Sequence, residues 1–300
     1  MISQGWINLY KPKNISSFQA INKIKKKFTI NKIGHAGTLD PLAEGVLPIA
    51  LGKTTKLIQF ITNKSKIYNF TIRWGLQTST DDSQGKILFE SDKIPSLEEI
   101  NIKIKNFNGQ IMQVPPKISA VKINGQRAYK LERKKIDFEI KPKNVFVKSL
   151  IVTNHKNNKT SFVIECGKGF YIRSLARDLS HQLNTFGHIS SLEREKVGKF
   201  NKETSILLDD LLKMVQRQVE INCIQSSVSM LDDILAFEIV DQNNLKDLSF
   251  GRTIKINKDN LREFSESTYD KDTFFLSYKG DIVSVGKLIG NLFKPTKILI

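Results

Sequence analysis

Residues 34–57, GHAGTLDPLAEGVLPIALGKTTKL, are the most informative stretch of this chain. Glycines and a proline predict a loop over residues 33–45, and the apolar run Val46–Leu51 predicts a buried strand after it. Asp40 lies in the middle of the loop, and Pro41 restrains the backbone directly behind it. Such loops carry reactive groups on a rigid scaffold, although a lone Asp near Gly and Pro more often only closes a turn. The sequence leaves both interpretations open at this point.

The end of this stretch, Gly52-Lys53-Thr54, superficially matches the last residues of a phosphate-binding P-loop. That loop needs a glycine five positions before its second glycine, so that backbone amides can surround the phosphates. Position 47 is Leu, and Pro48 has no amide hydrogen. The pattern therefore excludes a P-loop nucleoside triphosphatase.

The segments around the loop have clear periodicities. Residues 5–10 (GWINLY) predict a short strand, and Ser16 or Ser17 can cap the helix that follows. One helix face is predicted from the spacing of Phe18, Ile21, Ile24 and Phe28. Residues 67–74 (IYNFTIRW) alternate as in a half-buried strand. Its apolar face consists of Tyr68, Phe70, Ile72 and Trp74.

Further segments complete an α+β pattern. The predicted elements are a helix from Ser96 to about Phe107, a hairpin of strands near 144–153 and 160–166, a helix from about Phe170 to Leu183, and a helix over about 205–221. After Asp232-Asp233 the sequence pattern changes to one that predicts short strands and turns. We expect a largely antiparallel central sheet over residues 1–230 and a small β-rich module over 231–300.

The charge of the chain points to a polyanionic partner. The 300 residues contain 47 Lys plus Arg and 30 Asp plus Glu, a formal charge of +17, and 40% hydrophobic residues, enough for a sizeable core. Nucleic acid is the usual partner of a protein with such a positive electrostatic field, although a composition rich in Lys, Ile and Asn could produce the same charge. Cys166 and Cys223 lack metal-ligand or disulfide spacing, and no signal peptide or membrane span is recognisable. We expect a soluble cytoplasmic protein without a metal.

Five stretches, taken in order, resemble the TruB family of tRNA pseudouridine synthases over about residues 5–200. They are Lys11-Pro12 with Ser16-Ser17; the Asp40 segment with its following strand; Tyr68 with WGLQT (74–78) and DSQG (82–85); QVPPKISAVKINGQRAYKLER (113–133); and CGKGFYIRSLARD (166–178), followed by Leu192, Gly198 and Phe200 as the closing segment. The resemblance implies the pseudouridine synthase fold and a PUA-like C-terminal RNA-binding module. It also implies isomerisation of a uridine in the T-loop of tRNA, with no metal or organic cofactor and no membrane, by a monomer.

The resemblance also assigns roles to individual residues. Asp40 is the catalytic carboxylate, which attacks either the uracil ring or the ribose carbon, and Arg173 pairs with it and keeps it ionised. Tyr68 stacks on the flipped base, Tyr171 and Leu192 line its pocket, and His35 fills the space that the nucleotide leaves in the RNA. Without the family, Tyr68 and Leu192 would be taken as core residues and His35 as a loop residue. Arg173 is harder to dismiss, because a cation in the first turn of a helix opposes the helix dipole and indicates an anionic partner.

Two alternatives and some departures accompany this interpretation. A non-catalytic RNA chaperone would need no carboxylate beside the phosphates, and a guide-RNA-dependent synthase of the same superfamily remains a second alternative. The chain has Phe170 where the family usually has Thr, and Glu193 and Glu195 where it usually has Arg and Thr. A basic run could follow the RNA backbone or simply be a solvated face. It comprises Lys117, Lys122, Arg127, Lys130, Arg133, Lys134 and Lys135.

Overall fold

The structure is a computed structural model, which describes residues 4–28, 30–216, 223–228, 236–239, 241–256, 261–262, 273–279 and 281–300. The helices are α1 (Ser17–Phe28), α2 (Ile58–Thr62), α3 (Leu97–Lys103), α4 (Ala128–Arg133), α5 (Ile172–Gln182), α6 (Leu208–Gln216) and α7 (Gln242–Ser249). Two 3-10 segments cover Gly52–Leu57 and Ile104–Phe107. None of the helices within the described residues is long and apolar enough to cross a membrane.

The strands form one large sheet, a smaller C-terminal sheet and two short hairpins. In chain order they are β1 (Gly5–Lys11), β2 (Ile33–His35), β3 (Glu44–Leu51), β4 (Lys66–Trp74), β5 (Leu76–Thr78), β6 (Ile87–Glu90), β7 (Gly109–Gln113), β8 (Lys122–Ile123), β9 (Gln126–Arg127), β10 (Lys143–Lys156), β11 (Lys159–Cys166), β12 (Gly187–Val197), β13 (Phe200–Asn201), β14 (Ile206–Leu207), β15 (Ile224–Gln225), β16 (Ala236–Glu238), β17 (Ile254–Lys255), β18 (Leu261–Arg262), β19 (Thr273–Tyr278), β20 (Asp281–Ile289) and β21 (Leu292–Ile298).

The large sheet has the order β14-β1-β3-β12-β4-β11-β10-β7, with β2, β13 and β15 attached at its sides. Its pairings are antiparallel except for β1 with β14 and β12 with β3. The expected α+β fold with a largely antiparallel central sheet is therefore confirmed. Because β3 and β12 are adjacent, the strand that follows the Asp40 loop runs beside the strand that carries Leu192.

The alternation predicted for residues 67–74 is confirmed in β4, where Phe70, Ile72 and Trp74 are buried and Arg73 is exposed. Phe70 stacks on Phe162 of β11, with ring centroids 5.1 Å apart. The indole N–H of Trp74 donates to the Thr160 hydroxyl at 2.8 Å, so the buried polar atom of this ring has a partner. This strand forms the middle of the sheet on which the candidate site is built.

Some predicted details were wrong. Phe18 is 70% exposed, because α1 turns Ala20, Ile21 and Ile24 toward the core instead. The predicted loop over 33–45 begins with a strand, since β2 pairs with β3. The helix predicted over 205–221 begins at Leu208, and its last five predicted residues lie outside the described residues.

The C-terminal sheet has the order β17-β21-β20-β19-β16-β18. It packs on the first part of the chain, where Phe275 meets Phe60 edge-on with ring centroids 5.2 Å apart. The β-rich region predicted after Asp232-Asp233 thus contains a sheet, although those two residues lie outside the described part. Ile282, Val285 and Leu299 join the same shared core cluster.

Candidate active site

A cavity of about 240 Å³ opens on the large sheet between the Asp40 loop, β4, β12 and the start of α5. Four of the residues singled out in the sequence line it together with Asp40: Tyr68, Tyr171, Arg173 and Leu192. They come from four segments far apart in the chain, since Tyr171 and Arg173 both lie at the start of α5. His35 lies at the end of β2 and is not among the residues that line the cavity.

Asp40 and Arg173 are in direct contact. Arg173 Nε lies 2.9 Å from Asp40 Oδ2, and the side chains are 5% and 36% exposed respectively. The terminal nitrogens of Arg173 donate to the backbone carbonyls of Thr80 at 3.0 Å and Ile118 at 2.9 Å. The Asp82 carboxylate is 4.0 Å from Arg173 Nε. Arg173 is therefore a fixed cation at the cavity wall, and Asp40 is a partly exposed carboxylate beside it.

Hydrogen bonds from distant segments restrain the Asp40 loop. The Ser17 hydroxyl accepts from the Leu39 N–H at 2.8 Å and donates to the Leu39 carbonyl at 2.9 Å. The Asn14 N–H donates to the Pro41 carbonyl at 2.7 Å. These contacts fix the backbone on both sides of Asp40, which preorganises its carboxylate.

Two glycines of the loop are required by its geometry. Gly37 and Gly45 have φ angles of +110° and +107°, which residues with a Cβ rarely adopt. A Cβ on Gly45 would also lie 2.3 Å from the carbonyl oxygen of Arg194, because β3 runs close beside β12. Glycine therefore lets the strand after the loop reach the strand that carries Leu192.

Tyr171 and Tyr68 are positioned by the ends and neighbours of their elements. Tyr171 is the N-cap of α5, and the Gln113 side chain accepts from its N–H at 2.9 Å and donates to its carbonyl at 3.1 Å. Tyr68 lies opposite Ile164 on one side and Arg194 on the other. Burial raises the pKa of both phenols, so both remain neutral hydrogen-bonding groups at neutral pH.

Sequence reasoning missed three buried cations near the site: Lys11, Lys66 and Arg194. Burial lowers the pKa of Lys11 and of Lys66 to about 8 in each case. Lys66 and Arg194 line the cavity. The spacing of Lys66 and Tyr68, two apart on a strand, could have placed Lys66 on the cavity face, but no pattern distinguishes a buried cation from an exposed one.

The departures at Glu193 and Glu195 do not bring a carboxylate into the cavity wall. The Glu193 carboxylate accepts from the Tyr10 hydroxyl at 2.8 Å and pairs with Lys202 Nζ at 2.7 Å. Arg177 pairs with Asp178 at 2.9 Å and lies 3.7 Å from Asp81. It therefore has acidic neighbours within the protein. Among the described residues, no cluster of three or more His, Cys, Asp or Glu could hold a metal ion.

Comparison with known proteins gives consistent matches. The sequence profile described as TruB family pseudouridylate synthase (N terminal domain) matches residues 25–172. The tRNA pseudouridine synthase B of Ehrlichia ruminantium (strain Gardel) is 37% identical over 303 residues, which cover 98% of this chain and 98% of that protein. That of Rickettsia bellii (strain OSU 85-389) is 38% identical over 297 residues, which cover 98% and 97%. A relative of the same name from Wolbachia pipientis subsp. Culex pipiens (strain wPip) is 51% identical over 211 residues, covering 70% of this chain but 60% of that protein.

Solved structures share the fold. The chain matches the structure of an H/ACA RNP bound to a substrate RNA containing 2′-deoxyuridine with a TM-score of 0.74 and 22% identity, covering 99% of this chain and 85% of that chain. A Cbf5-Nop10-Gar1 complex matches with a TM-score of 0.74, 24% identity and the same coverage of 99% and 85%. At these identities the likeness concerns the fold alone.

Proposed function

The chain belongs to the TruB family of tRNA pseudouridine synthases, and from this premise we propose that it isomerises a uridine in the T-loop of tRNA, with Asp40 as the essential carboxylate. The observation that carries the proposal is the 2.9 Å contact between Asp40 and Arg173 at the cavity wall. A carboxylate held beside a buried cation, with a tyrosine in the same cavity, suits covalent chemistry on a base. Pure binding of a polyanion does not require that carboxylate.

The reaction breaks the C1′–N1 bond of uridine and forms a C1′–C5 bond, while a proton leaves C5 and N1 gains one. The base has to leave its stack to reach Asp40, which costs a few kcal/mol. Stacking on the Tyr68 ring offsets about 1–3 kcal/mol of that cost. Asp40 supplies the nucleophile, which attacks either the uracil ring or the ribose carbon and is released when the C1′–C5 bond has formed, and Arg173 is its ion-pair partner. No atom of a metal or organic cofactor is needed for this balance.

The remaining residues have supporting roles in this proposal. Tyr171 and Leu192 form the walls that hold the uracil, in keeping with their place around the cavity. His35 lies outside the cavity, at the end of β2, and fills the space that the nucleotide leaves in the RNA.

The wider assignments follow from the same function. Residues 1–230 form the catalytic domain, and residues 231–300 form a PUA-like module that contacts RNA. The protein acts as a monomer on the T-arm of tRNA in the cytoplasm, where tRNA is found.

The test is to incubate the purified protein with an unmodified tRNA transcript, and separately with its isolated T-arm, and to map pseudouridine. We expect modification within the T-loop without any added guide RNA. Modification only with a guide RNA would instead indicate a guide-dependent synthase. Faster tRNA refolding without any modification would indicate a chaperone.

Asp40→Asn tests the carboxylate, because it keeps the shape of the side chain and removes its charge. We expect no pseudouridine from this variant and an affinity for tRNA within about tenfold of the parent, or ~1.4 kcal/mol. Substantial turnover by Asp40→Asn would remove Asp40 from the chemistry.

A further inference from the structure

Arg194 is a buried cation whose hydrogen bonds go to the backbone. It lies on β12 and is 1% exposed. Its Nε donates to the Val46 carbonyl at 2.8 Å, and its Nη2 donates to the Gly37 carbonyl at 2.9 Å. Among the ion pairs of the described residues, none joins Arg194 to a carboxylate. Burial removes the hydration of this charge, and the two backbone carbonyls replace part of it.

The two carbonyls bound by Arg194 are at opposite ends of the segment that carries Asp40. Gly37 comes before Asp40 and Val46 comes after it, in the buried part of β3. The planar guanidinium has donors at fixed angles, so binding both carbonyls at once sets the distance between the two ends of the loop. The close approach of Gly45 to the Arg194 backbone joins the same two strands.

Arg194 also reaches the opposite wall of the cavity. It is the direct cross-strand neighbour of Tyr68, which lies on β4. Burial raises the pKa of Tyr68, while the charge of Arg194 acts in the opposite direction. One rigid side chain therefore binds the loop with the carboxylate and lies beside Tyr68, which lines the same cavity.

We propose that Arg194 is a positioning residue that sets the separation of Asp40 and Tyr68 around the flipped uracil, an inference that rests on the proposed function. The base has to fit between the carboxylate and the aromatic ring. A displacement of about 1 Å at such a site can reduce the rate by about 100-fold. Arg194 acts through its two neighbours and not by contact with the reacting atoms.

Two other roles for Arg194 make different predictions. A cation at the cavity wall could bind a phosphate of the RNA, in which case lysine would substitute well and any defect would be in affinity. A purely structural arginine would affect activity only as far as it unfolds the protein. The experiment therefore has to separate the chemical rate, the RNA affinity and the stability.

The main variant is Arg194→Lys, which keeps the charge but lacks the planar guanidinium whose donors bind both carbonyls at fixed angles. Single-turnover pseudouridine formation is measured with a saturating unmodified T-arm, together with the dissociation constant of that RNA, well below the melting temperature of the variant. We expect the rate to fall about 100-fold and the dissociation constant to stay within about threefold. Arg73→Lys is the matched control, because Arg73 is exposed on β4, and it should behave like the parent.

Gly37→Ala perturbs the same contact from the other side and leaves the buried cation in place. Its new Cβ would lie 3.3 Å from Arg194 Nη1, at a φ of +110°. We expect it to slow the chemical step with little change in RNA affinity. Because the strained φ by itself also displaces the loop, the informative outcome is the opposite one: a folded Gly37→Ala protein with unchanged chemistry would overturn the proposal even if Arg194→Lys fails to fold.

A double-mutant cycle with Tyr68→Phe completes the test. If Arg194 acts in part through the Tyr68 hydroxyl, Arg194→Lys will cost a smaller factor in the Tyr68→Phe background than in the parent. A near-parental rate of Arg194→Lys with weakened RNA affinity would overturn the proposal. So would a loss of rate that parallels unfolding, together with independent effects of the two substitutions in the cycle. Absence of pseudouridine with the parent protein would instead refute the proposed function, and this inference with it.

Discussion

Arg173 distributes its guanidinium among three partners, and this determines how it holds Asp40. Nε contacts one oxygen of the carboxylate at 2.9 Å, while the two terminal nitrogens bind the carbonyls of Thr80 and Ile118. The two terminal nitrogens of the guanidinium therefore bind the backbone, and Asp40 receives one contact from Nε instead of a bidentate contact. Each of the three bonds fixes the direction of the other two, so the position of Nε is set by the protein.

Arg173→Lys should remove most of the catalysis and leave tRNA binding largely intact. A lysine ammonium is a point charge and cannot satisfy the carboxylate and both carbonyls at once. The partly buried carbonyls of Thr80 and Ile118 lose a charged partner, so we also expect a lower melting temperature in a folded protein. The measurement is single-turnover pseudouridine formation, since the defect concerns the nucleophile. Near-normal rates with weaker RNA affinity would mean that Arg173 contacts a phosphate instead.

Sequence reasoning found the residues whose chemistry or motif is distinctive and missed those that are defined by burial. The geometry agrees with the expected pairing of Arg173 and Asp40, because a cation in the first turn of a helix already suggested an anionic partner. Arg194 stands between two glutamates in a strand and gives no such signal. Its importance comes from the carbonyls of Gly37 and Val46, which only the fold brings to it.

At the level of elements, the Asp40 loop depends on tethers from outside it. Ser16 and Ser17 are adjacent but do different things. The Ser16 hydroxyl accepts from the Gln19 N–H at 3.1 Å at the start of α1, whereas the Ser17 hydroxyl binds both backbone groups of Leu39. Either serine could have been the helix cap on sequence grounds. The choice between them depends on where the loop lies in space.

Ser17→Ala should therefore slow the chemical step by about tenfold, because the backbone before Asp40 loses its anchor. It should also cost about 1–3 kcal/mol of stability, since buried backbone groups of Leu39 lose their partner. Ser16→Ala is the matched control: loss of the cap should cost about 1 kcal/mol without a change in single-turnover rate. Equal effects of the two variants on the rate would show that the Ser17 contact is not a catalytic tether.

Strands were predicted better than the loop because their signal is local. The alternation of residues 67–74 fixes which side chains of β4 face inward, and the buried Phe70, Ile72 and Trp74 confirm it. The path of the Asp40 loop depends on Ser17, Arg173 and Arg194, which are far away in the sequence. Periodicity contains no information about such contacts.

At the scale of the whole molecule, the two sheets share a core. Phe60 packs edge-on against Phe275, and the Lys297 ammonium lies 5.6 Å from the centre of the Phe60 ring. The change of sequence pattern after Asp232-Asp233 indicated a separate β-rich module. It could not show that this sheet packs against α2, because α2 and β19 are far apart in the chain.

The net charge of +17 should make tRNA binding strongly dependent on salt. The logarithm of affinity is expected to fall with the logarithm of salt by about 0.9 for each phosphate that the protein neutralises in a duplex. The seven residues of the basic run are exposed. Ser119 and Ala120, which lie between Lys117 and Lys122 of this run, line the cavity. We therefore expect this run to lie along the RNA backbone rather than to be only a solvated face.

Two triple variants separate these possibilities at equal net charge. One changes Lys130, Arg133 and Lys134 to Gln, and the other changes the exposed Lys25, Lys26 and Lys27 at the end of α1 to Gln. If the basic run binds phosphates, the first variant should lower the salt slope by about one for each phosphate that it no longer neutralises, and the second should change it by less than one. Equal slopes for the two variants would mean that the charge acts only as a uniform field. A flat dependence in the parent would mean that the charge reflects composition and does not bind RNA.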